Sequence, residues 1–141
     1  MRYLAQREHS RLELAIKVAR KDFPEDLIDA VLDELSNQGL QSDLRYAEAY
    51  VRSRASKGYG CRRIIEELKQ RGIERDALPD FSEYDWDHSI VNVYTKKYGN
   101  LLPRIPAERA RRENFLRMRG FSSDEIRQLF RSMTQTDDHH D

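Results

Sequence analysis

A chain of 141 residues has room for one small domain or a short array of repeats, and 38% of it is hydrophobic against 35% charged. Its 25 basic and 25 acidic residues cancel, so total charge selects no polyanionic partner, and so few apolar residues build only a thin core. The longest apolar runs, such as Leu14 to Ile16 and Ile90-Val91, exclude a membrane-spanning helix. No apolar stretch opens the chain between Met1 and Glu8, and the single cysteine, Cys61, cannot close an internal disulfide. A cytoplasmic protein is expected.

In chain order, Ser10-Arg11-Leu12-Glu13 has the spacing of a capping box and predicts a helix start. Leu27, Ile28, Val31, Leu32 and Leu35 form an apolar stripe that predicts a helix from Pro24 to Asn37. Pro24 suits its first position, Glu25 and Asp26 suit the positive end of the helix dipole, and Gly39 reads as the left-handed residue beyond it. Ser42 or Asp43 caps a following helix that turns Leu44, Ala47, Tyr50 and Val51 inward and stops near Gly58. A further helix spans Gly60 to Arg71 on Ile64, Ile65 and Leu68, ended by Gly72. Ser122-Ser123-Asp124-Glu125 is a second capping box. No two-residue alternation and no hairpin signal interrupts this pattern, so the fold class is all-α.

Ser10, Leu14, Val18 and Phe23 recur in spacing as Gly60, Ile64, Leu68 and Ile73, and in part again as Arg112, Leu116 and Phe121. A unit of about 50 residues follows, and so small a helix triplet must stack on its neighbours to bury its stripe. The partition places two helices of a first repeat in 1–40, its third helix in 41–58, a second repeat in 59–99, an incomplete third in 100–133 and a polar, disordered tail in 134–141. Charge follows the same rhythm. Every charge from Asp22 to Leu44 is negative, bases prevail from Arg45 to Arg71, acids return from Glu74 to Asp87, and bases again from Lys96 to Arg119. Such blocks set local potentials, because screening acts over about 8 Å at physiological salt.

No catalytic constellation is present, and the chain is not expected to be an enzyme. Gly58-Tyr59-Gly60 lacks the preceding strand and the following Lys-Ser/Thr of a phosphate loop and reads as a link between helices. Cys61 beside Arg62 and Arg63 reads as a spectator, with no histidine near it in sequence. His9 and His88 stand alone, and His139 and His140 sit in the polar tail, so neither a metal nor a cofactor is expected. Binding remains. Arg54, Lys57, Arg62 and Arg63 cluster with Tyr50 and Tyr59; Lys96 and Lys97 lie between Tyr94 and Tyr98; Arg111 and Arg112 follow. Arginine forks suit phosphates and carboxylates, and the tyrosines offer rings on which a base could stack.

The order Leu40-x-x-Asp43-x-Arg45-Tyr46-Ala47-x-x-Tyr50-Val51, Arg54-x-x-x-Gly58-Tyr59-Gly60, Arg63-Ile64, Leu68 and Gly72-Ile73 resembles the RecX family, regulators of the bacterial RecA recombinase. His9-Ser10-Arg11-x-Glu13-Leu14, Asp85-Trp86, Lys97-Tyr98-Gly99 and Phe115-Leu116-x-x-Arg119-Gly120-Phe121 extend the resemblance from about Tyr3 to Arg131. Cys61 departs from the proline usual after Gly-Tyr-Gly, and Tyr46 from the usual phenylalanine. The resemblance implies tandem three-helix repeats in an elongated, curved array. It also implies a cytoplasmic monomer, without cofactor or membrane, that binds the RecA–single-stranded DNA filament and mostly inhibits its recombinase, ATPase and coprotease activities in DNA repair and the SOS response. The candidate contacts, chosen on charge clustering, are Arg54, Lys57, Arg62, Arg63, Lys96, Lys97, Arg111 and Arg112. The alternative is a free-standing helix-turn-helix nucleic-acid binder turning at Gly58–Gly60, and a third reading is an adaptor that self-associates through its charge blocks.

Overall fold

The computed structural model describes residues 7–138, with side chains through Gln135. These residues form α-helices and two short 3-10 turns (Arg75–Ala77 and Phe81–Glu83), and no strand lies among them. The helices are α1 (Arg11–Ala19), α2 (Glu25–Asn37), α3 (Asp43–Ser56), α4 (Cys61–Gln70), α5 (Trp86–Tyr98), α6 (Pro106–Arg119) and α7 (Ser123–Asp138). The all-α expectation holds. A correction falls at the end: α7 continues through Thr134 to Asp138, where composition predicts a disordered tail. His139, His140 and Asp141, like Met1 to Gln6, lie outside the described residues.

The chain divides into two compact units, one reaching Arg52 and including Glu66–Pro79, the other holding Ser53–Ile65 and Asp80 onwards. The divide passes within α3 and within α4, a grouping that the charge blocks do not announce. Unit one carries fourteen acids against eleven bases and unit two the reverse, so a chain of zero net charge is made of oppositely charged halves.

In unit one, α1 and α2 bury Leu14, Leu32 and Leu35, flanked by Ala15, Ile28 and Val31. Ser10 caps α1 by accepting from the Glu13 amide at 3.1 Å, but the Glu13 carboxylate pairs with Arg7, so the capping box closes on one side only. The Arg11 amide donates to Asp43 Oδ1 at 2.8 Å, joining the start of α1 to the start of α3. Two stripe residues are corrected: Leu44 is 45% and Leu27 50% exposed, while Tyr46 is buried in the place expected of Leu44. The ring of Tyr46 stacks on Tyr50 with centroids 6.0 Å apart. Arg71 clamps the pair, donating to the Tyr46 hydroxyl at 3.1 Å and lying 4.7 Å from the Tyr50 ring.

Unit two repeats this clamp. Tyr94 and Tyr98, four residues apart like Tyr46 and Tyr50, contact each other at 5.1 Å. Arg112 donates to the Tyr94 hydroxyl at 2.8 Å and to the Leu101 carbonyl at 2.9 Å, with its guanidinium 4.6 Å from the Tyr98 ring. The core around them is Ile90, Leu116, Phe121, Ile126, Leu129 and Phe130, from α5, α6, α7 and the link between the last two. At the head of α7 the second capping box closes fully: the Glu125 amide donates to Ser122 Oγ at 3.1 Å and the Ser122 amide to Glu125 Oε1 at 2.8 Å.

The repeated hinge positions diverge. Ile73 and Phe121 are buried, at 3% and 1% exposure, whereas Phe23 is 48% exposed. Just before them, Gly72 and Gly120 take left-handed φ of 83° and 106°, and the position corresponding to Gly72 in the first copy is Asp22, at φ 60°. A Cβ on Gly120 would stand 2.4 Å from Arg63 Cβ, so only glycine fits there. Asp22→Gly should therefore stabilise the fold by roughly 0.5–1 kcal/mol, whereas Gly120→Ala should destabilise it by about 2 kcal/mol or more, both read by urea unfolding.

His9 is 2% exposed, its Nδ1 lying 3.0 Å from the Arg7 carbonyl. Burial, and then the charge of Arg7, hold its pKa below the usual 6.5. The folded state thus binds fewer protons than the unfolded one near that pH, so stability is complete above about 6.5 and falls as pH drops below it. His9→Asn should flatten that part of the stability–pH profile; an unchanged slope would assign it to another group.

Candidate functional site

A cluster of cations forms in unit two at the end of α3. The Tyr59 amide folds back on the Arg54 carbonyl at 3.2 Å, bringing the ring under the Arg54 guanidinium at 3.8 Å. Arg63 and Arg119 lie 4.6 Å and 4.8 Å from the same ring. Two of these cations are also held by backbone acceptors: Arg63 donates to the Met118 carbonyl at 2.9 Å and Arg119 to the Lys57 carbonyl at 3.3 Å. Three guanidiniums around one ring repel, and the electron-rich ring faces offset part of that repulsion. The backbone underneath is joined directly. Gly60 donates to the Arg119 carbonyl at 2.7 Å and Arg62 to the Gly120 carbonyl at 3.1 Å, leaving no room for a Cβ on Gly60, which would stand 2.6 Å from Gly120.

Beside this cluster opens a cleft of about 670 Å³, lined by Lys57, Lys96, Lys97 and Arg119 over Val93 and Phe115. None of its lining residues is acidic. The Lys97 ammonium sits 3.9 Å from the Phe115 ring, and the Arg119 guanidinium 5.5 Å from it. The charged ends of two basic side chains thus lie over the aromatic part of the floor, held there by cation–π attraction. A concave wall of one sign focuses the potential and draws anions in.

Residues 1–35 match the family model for the first three-helix domain of RecX, and residues 42–78 match that for the second. The chain is 44% identical over 135 residues to the regulatory protein RecX of Ectopseudomonas mendocina, covering 93% of this chain and 89% of that one. It belongs to the RecX family. The regulatory protein RecX of Pseudomonas entomophila is 41% identical over 132 residues, covering 92% and 85% of the two chains. The crystal structure of RecX from Lactobacillus salivarius superposes with a TM-score of 0.79 at 24% identity, over 95% of this chain and 91% of that one, a likeness of fold. The family's second domain opens at residue 42, ahead of α3, whereas the fifty-residue partition begins a second repeat at 59.

The structure divides the candidate residues of this RecX-family chain into four groups. Lys57, Lys96 and Lys97 meet in the cleft, while Arg54 and Arg63 hold Tyr59 beside it. Arg62 and Arg111 are exposed and do not line the cleft. Arg112 is turned inward as the tyrosine clamp, its side chain 17% exposed. Arg119 was not among the candidates, yet it joins the cleft to the Tyr59 cluster. Its place depends on Tyr59, sixty residues earlier in the chain, and the only local signal is the Arg119-Gly120 pair.

The tyrosines do not serve as expected. Tyr50 is stacked on Tyr46 and donates to Glu67 at 3.0 Å, Tyr94 is wholly buried, Tyr98 packs against Phe115 at 5.8 Å, and Tyr59 lies among its arginines. Burial, and then the charge of Glu125, push the Cys61 thiol up to about 11, so it stays protonated at neutral pH despite Arg62 and Arg63. Among the described residues, no three His, Cys, Asp or Glu side chains are placed to hold a metal ion, and no helix is long and apolar enough to cross a membrane. Neighbours in sequence, Arg111 and Arg112 should separate sharply on mutation. Arg112→Met should cost about 2 kcal/mol in thermal unfolding by stranding its buried partners, and Arg111→Met no more than about 0.5 kcal/mol.

Proposed function

We propose that this chain binds the RecA–single-stranded DNA filament and restrains its recombinase, ATPase and coprotease activities, acting as a cytoplasmic monomer in the regulation of repair and recombination. Membership of a family whose relatives are named regulatory protein RecX supports this reading, and the cationic cleft of unit two is the observation that carries it. A filament displays phosphates and acidic side chains in regular repetition, and a binder that prefers one assembly state shifts its population without catalysing anything. Cations already anchored by Tyr59, Lys57 and Met118 lose little freedom on binding.

The helix-turn-helix alternative is less well supported. A recognition helix reads base edges with its N-terminal residues. Here the start of α4 is engaged within the chain, with the Gly60 and Arg62 amides bonded to carbonyls at the end of α6. The test is RecA ATPase on single-stranded DNA titrated with the protein. Inhibition at substoichiometric protein is expected, and Lys57→Glu/Lys96→Glu should raise the half-inhibitory concentration roughly tenfold or more with the circular dichroism of the helices unchanged. An undiminished ATPase with the unaltered protein in excess would defeat the proposal. Charge reversal is placed at these lysines because Arg63, which braces Met118 and Tyr59, would confound the readout.

A further inference from the structure

Two clefts of unit one meet at Leu12, and their walls carry opposite charge. The first, of about 540 Å³, is lined by Asp29, Asp43, Glu74 and Asp76, and its one base, Arg11, is taken up by Asp33 at 2.9 Å and Asp29 at 3.6 Å. The second, of about 300 Å³, is lined by Lys17, Arg20 and Arg71, and its one acid, Glu13, is paired with Arg7. Leu12 lines both clefts and Ile16 the second. One helical turn apart on α1 and 43% and 46% exposed, they form an apolar ridge between the two walls. Leu12 is held in that place by the chain at Gly72, where a Cβ would stand 2.8 Å from it.

The pairing of signs narrows what can lie on this ridge. A phosphate chain is repelled by the four carboxylates and a polyamine by the three cations, and neither makes use of Leu12 and Ile16. A protein segment can carry both signs with an apolar anchor between them. The anchor supplies most of the affinity, and the charges at its two ends fix register and direction. From Leu12 to Arg20, α1 extends about 12 Å at 1.5 Å per residue. A helix that lays an i, i+4 pair of apolar side chains on the ridge therefore brings residues about two turns apart against the opposed walls.

We infer that the α1 edge of unit one docks an amphipathic helix of a partner protein, with bases at the end facing Glu74 and Asp76 and acids at the end facing Lys17 and Arg20. Every residue of this surface belongs to unit one. The surface thus serves a partner beyond the filament, and the inference stands apart from the filament reading.

The experiment is fluorescence anisotropy of the full chain with two labelled, alanine-based helical peptides of about 16 residues, each with a leucine pair one turn apart. One carries glutamates in its first turn and arginines in its last; the other has the same composition with the charges interleaved. The peptide with separated charges should bind about fivefold more tightly or better. Ile16→Glu should weaken its binding by roughly tenfold or more, and Arg20→Glu or Glu74→Lys/Asp76→Lys by about threefold to fivefold each. All four side chains are exposed, so circular dichroism of the helices should not change. Equal binding of the two peptides would overturn the inference, as would undiminished binding by Ile16→Glu or no binding of either peptide. Displacement of the peptide by equimolar spermine or oligo-dT would also overturn it, by assigning the surface to a polyamine or a nucleic acid.

Discussion

The arginine cluster of unit two depends on the backbone contact between Gly60 and Gly120. The 2.7 Å bond from Gly60 to the Arg119 carbonyl brings the start of α4 onto the end of α6 with no side chain between them. That approach carries Arg119 over Tyr59 and within reach of the Lys57 carbonyl, and it places Arg63 against Met118. A larger residue at either glycine would push these segments apart, and the cations would lose their common ring. The same economy appears in unit one, where a Cβ on Gly72 would stand 2.8 Å from Leu12.

The arginines of this chain do two different jobs. Arg71 and Arg112 face inward, each locking a tyrosine pair, and their positive charge is spent on hydroxyl, carbonyl and ring acceptors. Arg54, Arg63 and Arg119 are half-exposed, their guanidiniums gathered around Tyr59, and Arg119 also lines the cleft. With so thin a hydrophobic core, guanidinium–aromatic contacts supply specificity that apolar packing alone would supply in a larger domain. The opposite net charges of the two units then leave a neutral chain with one strongly cationic region, which total charge conceals.

Local features of the fold were legible in the sequence because they depend on neighbours a few residues apart. The apolar stripes placed the helices, Gly39 and Gly72 ended them in the left-handed conformation, and Ser122–Glu125 formed the full capping box its spacing announces. Leu44 and Leu27 were misplaced, since a stripe has edges and tertiary packing decides which side is covered. The site was half legible: Lys57, Lys96 and Lys97 were named, but the same charge count promoted Arg112, whose partners Tyr94 and Leu101 lie on earlier parts of the chain. The tyrosine pairs 46/50 and 94/98 were present as a repeated spacing. The reading of Tyr50, Tyr94 and Tyr98 as stacking platforms failed because nothing local reveals that Arg71, just past α4, and Arg112, on α6, occupy them.

The central claim, that the unit-two cleft faces the filament, is tested most directly by lysine acetylation footprinting of the protein bound to RecA on single-stranded DNA. Lys57, Lys96 and Lys97 should lose reactivity several-fold relative to the free chain, while Lys17 and Lys21 of unit one keep theirs. Undiminished labelling of the cleft lysines together with protection of Lys17 and Lys21 would contradict the account and move the contact to unit one.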